Sequence, residues 1–212
     1  REATFLERAQ NELKKHRNNL PKLKAVHWMN LKARDPEPIL VITKASEGNL
    51  RQNRNRFFGP NVPTTQLLKA WTQLTGTLAE IESVMQINHI DLKTQNIFVH
   101  REPNGELTLQ PGDWGAYSAP GQELLLFHTP DWASRESLTG NLSPEKDSVR
   151  ALQLILLEMA TGETVEKMRS GAFGTECLKR LQLVYSDNTS DFWYLENIPA
   201  PLREKLDPTL LQ

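Results

Sequence analysis

The sequence predicts an α+β fold with most of its mass in helices. Three observations carry this expectation. Apolar residues recur every three or four positions from Leu67 to Met85, the stripe of a buried amphipathic helix. The run from Val149 to Ala160 is apolar nearly all round, which implies a helix at the centre of a helical lobe. Short strand-like runs come in pairs, at 22–31 with 38–44 and at 97–100 with 107–110, each pair separated by turn-forming residues.

The elements follow in order. Residues 3–17 read as a helix with Phe5, Leu6, Ala9 and Leu13 on one side and charges elsewhere. Two strands come next, joined by a polar turn containing Asp35-Pro36. Residues 51–63 are polar, with Gly59-Pro60 and Pro63, and read as a loop. Thr64-Thr65 offers an N-cap for a helix that runs to about Met85. The strands 97–100 and 107–110 make a hairpin across Pro103-Asn104-Gly105. From Asp113 to Glu136 the chain is loop-like. Pro144, after Ser143, suits a first helical turn, and that helix ends near Thr161 with Gly162 as its cap. Short helices are expected around 163–169, 175–184 and 199–206, and Phe192-Trp193-Tyr194 reads as a lid on the core.

Composition bounds the function. At 212 residues the chain is one domain, or one domain with a small satellite. A net charge of -1 gives no nucleic-acid or membrane bias. The single cysteine, Cys177, permits no internal disulfide and points to a reducing, cytoplasmic setting. No apolar run reaches the length of a membrane span, and no N-terminal segment has signal-peptide form. The chain opens on a helical pattern without Met, so a fragment is expected. The five histidines lack metal-site spacing, and a zinc site is not expected. There is no Ser-His-Asp signature and no phosphate-binding G-x-x-x-x-G-K-[ST] loop. Oligomeric state is open.

One stretch carries chemistry. His89-Ile90-Asp91-Leu92-Lys93-Thr94-Gln95-Asn96 is followed by an apolar run, Ile97-Phe98-Val99. Asp91 is a carboxylate that can accept a hydroxyl proton. Lys93 offers an ammonium and Asn96 an amide oxygen. Together they can surround one phosphoryl group and its metal ion. Asp113-Trp114-Gly115 follows seventeen residues after Asn96. The hairpin places Asn96 just before one strand and Asp113 just after the other, so adjacent strands bring the two metal-ligand candidates together. His89 is expected to pack under the loop rather than act as a base.

This arrangement resembles the catalytic loop and metal-binding loop of the protein kinases, H-R-D-L-x-x-x-N followed by D-F-G. Ile90 stands for the arginine and Trp114 for the phenylalanine. Thr129-Pro130-Asp131-Trp132 to Glu136 resembles T-P-x-W-x-A-P-E, with Ser134 and Arg135 replacing the alanine and proline. Leu156-Leu157-Glu158-Met159-Ala160-Thr161-Gly162 resembles the end of the long central helix of that fold. Residues 40–50 resemble the hinge, with Ile42 at the gatekeeper position.

The resemblance implies a kinase-like fold, mostly the helical C-terminal lobe (51–212), with a partial β N-terminal lobe (1–50). It implies phosphoryl transfer from ATP, with magnesium, to serine or threonine hydroxyls of a protein substrate. Asp91 would orient and deprotonate the hydroxyl, and Lys93 would neutralise the transferred phosphate. Asn96 and Asp113 would hold magnesium. Ile42, Thr43, Lys44 and Ala45 would meet the adenine. Ile90 implies activity without activation-loop phosphorylation. Glu136 would pair with a late arginine, for which Arg203 is the candidate.

Three departures open an alternative, a catalytically weak pseudokinase that acts as a binding module. The glycine-rich loop and third-strand lysine are not in these residues. The helical glutamate expected to pair with that lysine falls on Ala9. The aspartate that braces the catalytic loop falls on Ser148, with Asp147 one place early. A small-molecule phosphotransferase sharing H-x-D-x-x-x-x-N is a third reading, disfavoured by Lys93 and the T-P-x-W segment.

Overall fold

The structure, a computed structural model, describes residues 1–29, 37–120, 129–133, 144–172 and 199–203, with Ser137, Thr139 and Lys179 besides. The Asp35-Pro36 turn, Cys177, Glu136, the 175–184 helix and the Phe192-Trp193-Tyr194 cluster lie outside them, as does the side chain of Arg203.

Helix α1 spans Glu2–Glu12 and buries Phe5, Leu6 and Ala9. It stops short of the expected residue 17 because Leu13 turns extended (φ -76°, ψ 136°). Beyond it, Glu80 collects the backbone N–H groups of Lys14 (3.0 Å), Lys15 (3.0 Å) and His16 (2.8 Å). Those donors would otherwise need helical partners. Strands β1 (Leu23–Met29) and β2 (Glu37–Ile42) pair antiparallel, with Val26 opposite Leu40.

The polar stretch expected as loop is in its first half a helix, α2 (Leu50–Phe57). Asn49 caps it by accepting the Gln52 N–H at 2.9 Å. Leu50 and Phe57, at one end and the other, are buried in the core. Helix α3 covers Thr64–Met85, the expected span, but its N-cap is Pro63 rather than a threonine. Its buried stripe is Leu67, Ala70, Trp71, Leu74, Thr77, Ile81 and Met85.

Strand β3 (Asn88–His89) pairs with β6 (Tyr117–Ser118), a short ladder inside a segment expected to be loop. Strands β4 (Ile97–Arg101) and β5 (Leu107–Pro111) form the predicted hairpin, with Ile97 opposite Pro111. Helix α4 (Pro144–Thr161) is buried along nearly its whole second half, from Ala151 to Thr161. Two short helices close the described chain, α5 (Val165–Arg169) and α6 (Ala200–Arg203).

The described residues are therefore α+β, with three two-stranded antiparallel sheets. Two apolar clusters hold them. One centres on α4 and gathers α2, α3, the hairpin and Trp132. The other joins α1, Leu20, the end of α3, Trp114 and Tyr117. The Trp71 indole N–H donates to the Leu152 carbonyl at 3.3 Å and ties α3 to α4. Gly162 ends α4 at φ +70°, and a Cβ there would stand 2.2 Å from Asn55 Oδ1, so α2 packs directly against that turn.

Candidate functional site

The site lies between β3 and β4. His89 ends β3 fully inside the protein. Its Nε2 is 2.9 Å from the Gly112 carbonyl, and the Asp91 backbone N–H meets its Nδ1 at 3.2 Å. A carbonyl can only accept and an amide can only donate, so Nε2 carries the proton and Nδ1 is the acceptor. Burial holds the imidazole below its usual value, outweighing the Gly112 bond and the nearby Asp91 and Asp113 carboxylates. His89 is thus a neutral packing residue that shapes the loop.

Three more residues converge on Asp91. Lys93 Nζ donates to Asp91 Oδ2 at 2.6 Å and to Thr129 Oγ1 at 2.8 Å. The Thr129 hydroxyl donates to Asp91 Oδ1 at 2.7 Å. Asn96 Nδ2 donates to the Asp91 carbonyl at 3.0 Å and reaches Oδ2 at 3.4 Å. The expected Asp91, Lys93 and Asn96 are therefore one hydrogen-bonded group, and Thr129 closes it into a ring. The Thr129 role was not expected; its signal was the T-P-x-W match. Each oxygen of a carboxylate accepts two bonds and an ammonium donates three. Asp91 Oδ1 and Lys93 Nζ each keep capacity for a substrate.

Asn96 sits in a 3-10 turn (Thr94–Asn96) that opens β4. Glu158 of α4 fixes that turn. Its Oε2 accepts the Thr94 hydroxyl at 2.7 Å, and Oε1 accepts the Val165 N–H at 2.8 Å. Burial raises the Glu158 carboxyl, and Thr94, Val165, Arg51 and Arg54 oppose the rise. Ser148 Oγ lies 3.5 Å from the His89 carbonyl, while Asp147 accepts the Ser137 hydroxyl at 2.6 Å. Ser148, the counted position, is thus at the loop backbone. Asp147 also borders the small cleft under His89–Leu92.

Asp113 reaches the same region through the hairpin. The Gly112 N–H donates to the Asn96 carbonyl at 2.8 Å, which seats Asp113 one residue beyond that rung. Asp113 is exposed and adopts φ +57°, a left-handed conformation rare for a non-glycine residue. Trp114 turns inward. Its ring stacks on Phe5 (centroids 3.9 Å, 15°) and lies 4.6 Å from His89. The Trp114 backbone N–H donates to Glu2 Oε1 at 3.2 Å.

So the α1 carboxylate near Asp113 is Glu2, one end of the helix away from the register centred on Ala9, which is buried in the core. Burial pushes Glu2 up; the Trp114 N–H opposes this and Asp113 adds to it. Nothing in the sequence marked Glu2, because an acidic residue in a first helical turn is ordinarily explained by the helix dipole.

Ile42 ends β2. The Thr43 N–H donates to the Lys22 carbonyl at 2.9 Å, and the Thr43 hydroxyl accepts the Lys22 N–H at 2.8 Å. Lys44 is exposed and Ala45 is buried.

Asn96 and Asp113 offer oxygen donors, the kind magnesium takes, rather than the nitrogen and sulfur of a zinc site. Among the described residues no group of three or more His, Cys, Asp or Glu forms a metal site. Magnesium characteristically takes one or two carboxylates beside phosphate and water oxygens. Asn96 commits its amide nitrogen to Asp91, so its amide oxygen is the atom left to face a cation.

No protein-family model matches the chain. Over 168 residues it is 28% identical to the serine/threonine-protein kinase pkpA of Phycomyces blakesleeanus. The match covers 73% of this chain and 26% of that protein. The chain therefore spans about a quarter of the length of this curated relative. Among the described residues no helix is long and apolar enough to cross a membrane. What the comparison supports is, at most, a distant kinase-like relationship in sequence.

Proposed function

We propose that the chain is kinase-like and transfers phosphate from ATP to serine or threonine hydroxyls of a protein. The observation that supports this best is the closed ring of Asp91, Lys93 and Thr129, with Asn96 bonded to it at Asp91. A structural turn needs no such concentration of charge and donors.

In this reading Asp91 Oδ1 takes the substrate hydroxyl as its second hydrogen bond and receives its proton. Lys93 holds the carboxylate in place and turns its third N–H toward the transferred phosphate. Asn96 and Asp113 hold magnesium, which when bound neutralises charge developing on the phosphate oxygens. Glu158 and His89 keep the loop rigid, so its groups need no reorganisation during the reaction. Thr43 to Ala45 meet the adenine through backbone atoms other than the Thr43 N–H, which Lys22 already holds. Residues 1–50 form the partial N-terminal lobe and 51–212 the C-terminal lobe. Buried Ile90 gives an activation segment no cationic receptor, so activity does not depend on its phosphorylation. Chemistry of this kind fits a cytoplasmic protein.

The second reading is a pseudokinase binding module. It draws on the engagement of Asp91 by three neighbours, which any substrate hydroxyl must join. Radiolabel transfer from ATP by the protein at its natural length separates the two. Asp91→Asn should lower the rate by about 10²–10⁴-fold with the nucleotide-induced thermal shift retained, and Asp113→Ala should abolish the magnesium-dependent part of that shift. Absence of both transfer and nucleotide-induced shift in the unmodified protein leaves the binding module.

A further inference from the structure

We infer that the groove between α2, the start of α3 and the β4–β5 hairpin is a docking site for an acidic, apolar-flanked peptide segment of a partner protein. The cavity measures about 900 Å³, the size of a recognition pocket. It lies on the hairpin's turn end, where β4 leaves Asn96 behind and runs to Arg101, so its ligand is separate from the phosphoryl-transfer residues.

Two features define the occupant. The first is charge. Arg56, Lys69 and Arg101 line the groove against one lining carboxylate, Glu106. Arg56 and Arg101 share an aromatic backing: both guanidiniums lie over the Phe57 ring, at 4.7 and 5.1 Å from its centroid. Both also share a single carboxylate, Glu47, at 3.1 Å each. One carboxylate between two guanidiniums leaves a net positive pair, and Arg56 Nε is not used by Glu47. Lys69 pairs with Glu106 at the exposed rim. Exposed pairs of this kind are weak and yield to a competing carboxylate. The second feature is the apolar wall. Val62, Pro63 and Leu107 line the same cavity and keep part of their surface exposed. Aromatic-backed arginines beside partly exposed aliphatic side chains suit a carboxylate with apolar neighbours.

The test is fluorescence anisotropy with the whole chain and a labelled nonapeptide carrying two aspartates flanked by leucines. A twin with lysines for the aspartates needs no change in the protein. The acidic peptide should bind at least about tenfold more tightly than its twin and weaken steeply with added salt. Arg56→Gln with Arg101→Gln should remove most of that preference, and Asp91→Asn should leave it intact. Equal binding of the two peptides overturns the proposal. So does a preference that survives the double substitution. A single-stranded oligonucleotide that binds as well, through the same arginines, overturns the peptide assignment.

Discussion

Thr129 shows most directly how one side chain can set a reactive geometry. Its hydroxyl donates to Asp91 and accepts from Lys93, so it locks the carboxylate and the ammonium in mutual register. Thr129→Val keeps the shape and removes both bonds. The expected result is a fall in kcat of about 10–100-fold, since a loss of register near 1 Å costs that much. KM for the nucleotide should hold, and Thr129→Ser should restore most of the rate. Steady-state phosphotransfer assays on the three proteins read this out. The ring was half legible in the sequence. Asp91, Lys93 and Asn96 are close along the chain, so their spacing alone brought them together. Thr129 is 38 residues from Asp91, and only a resemblance could place it nearby. Glu2 was not legible at all, because its partner is a backbone N–H 112 residues away and backbone donors leave no trace in a sequence.

Element by element, legibility followed the strength of the apolar period. Helix α3 has seven buried positions in one stripe, and its extent was readable, although its cap is Pro63 and not the threonine pair. The β4–β5 hairpin was fixed by Asn104-Gly105, which supplies the positive φ its turn needs (Gly105, φ +84°). Helix α2 was missed because its middle is Arg, Gln, Asn, Arg, Asn and Arg, and only its two ends are buried. Tertiary bonds hold it instead. Arg54 donates to the Gly162 carbonyl at 2.9 Å, and Arg51 pairs with Glu166 at 3.0 Å. A helix with so little apolar face depends on its cap. Asn49→Ala should lower global stability by about 1 kcal/mol in urea denaturation, with the m-value unchanged. An unchanged midpoint would mean that tertiary bonds alone fix α2.

For the molecule as a whole, buried ionisable groups pull stability in opposite directions with pH. His89 is held below its usual value near 6.5. Under mildly acidic conditions the unfolded chain therefore binds a proton that the folded chain refuses, and stability falls as pH drops through 6.5 toward the folded value. Glu2 and Glu158 are raised. They take up protons first in the folded state, so their contribution grows as pH falls through the raised value. Glu80 is lowered: burial works against ionisation, but the three backbone donors and His16 prevail, so its contribution is lost only in stronger acid. Thermal melts between about pH 7 and 5 separate these effects. His89→Gln keeps a donor and an acceptor but cannot titrate, so its melting temperature should decline less over that interval than that of the parent. Parallel curves would show that His89 is not the titrating group.

The three N–H bonds to Glu80 also settle how α1 can move. They make residues 14–16 a fulcrum bolted to α3, and α1 the lever that leaves it. At about 1.5 Å per residue, Glu2 is roughly 16 Å along the arm and Phe5 roughly 12 Å. A tilt of about 10° then carries the Glu2 end some 3 Å and Phe5 about 2 Å, on the same helical rise. That is enough to part Glu2 from the Trp114 backbone N–H and slide Phe5 off the indole. Trp114 is the neighbour of Asp113, so a change in the angle of α1 would reach Asp113 through these two contacts.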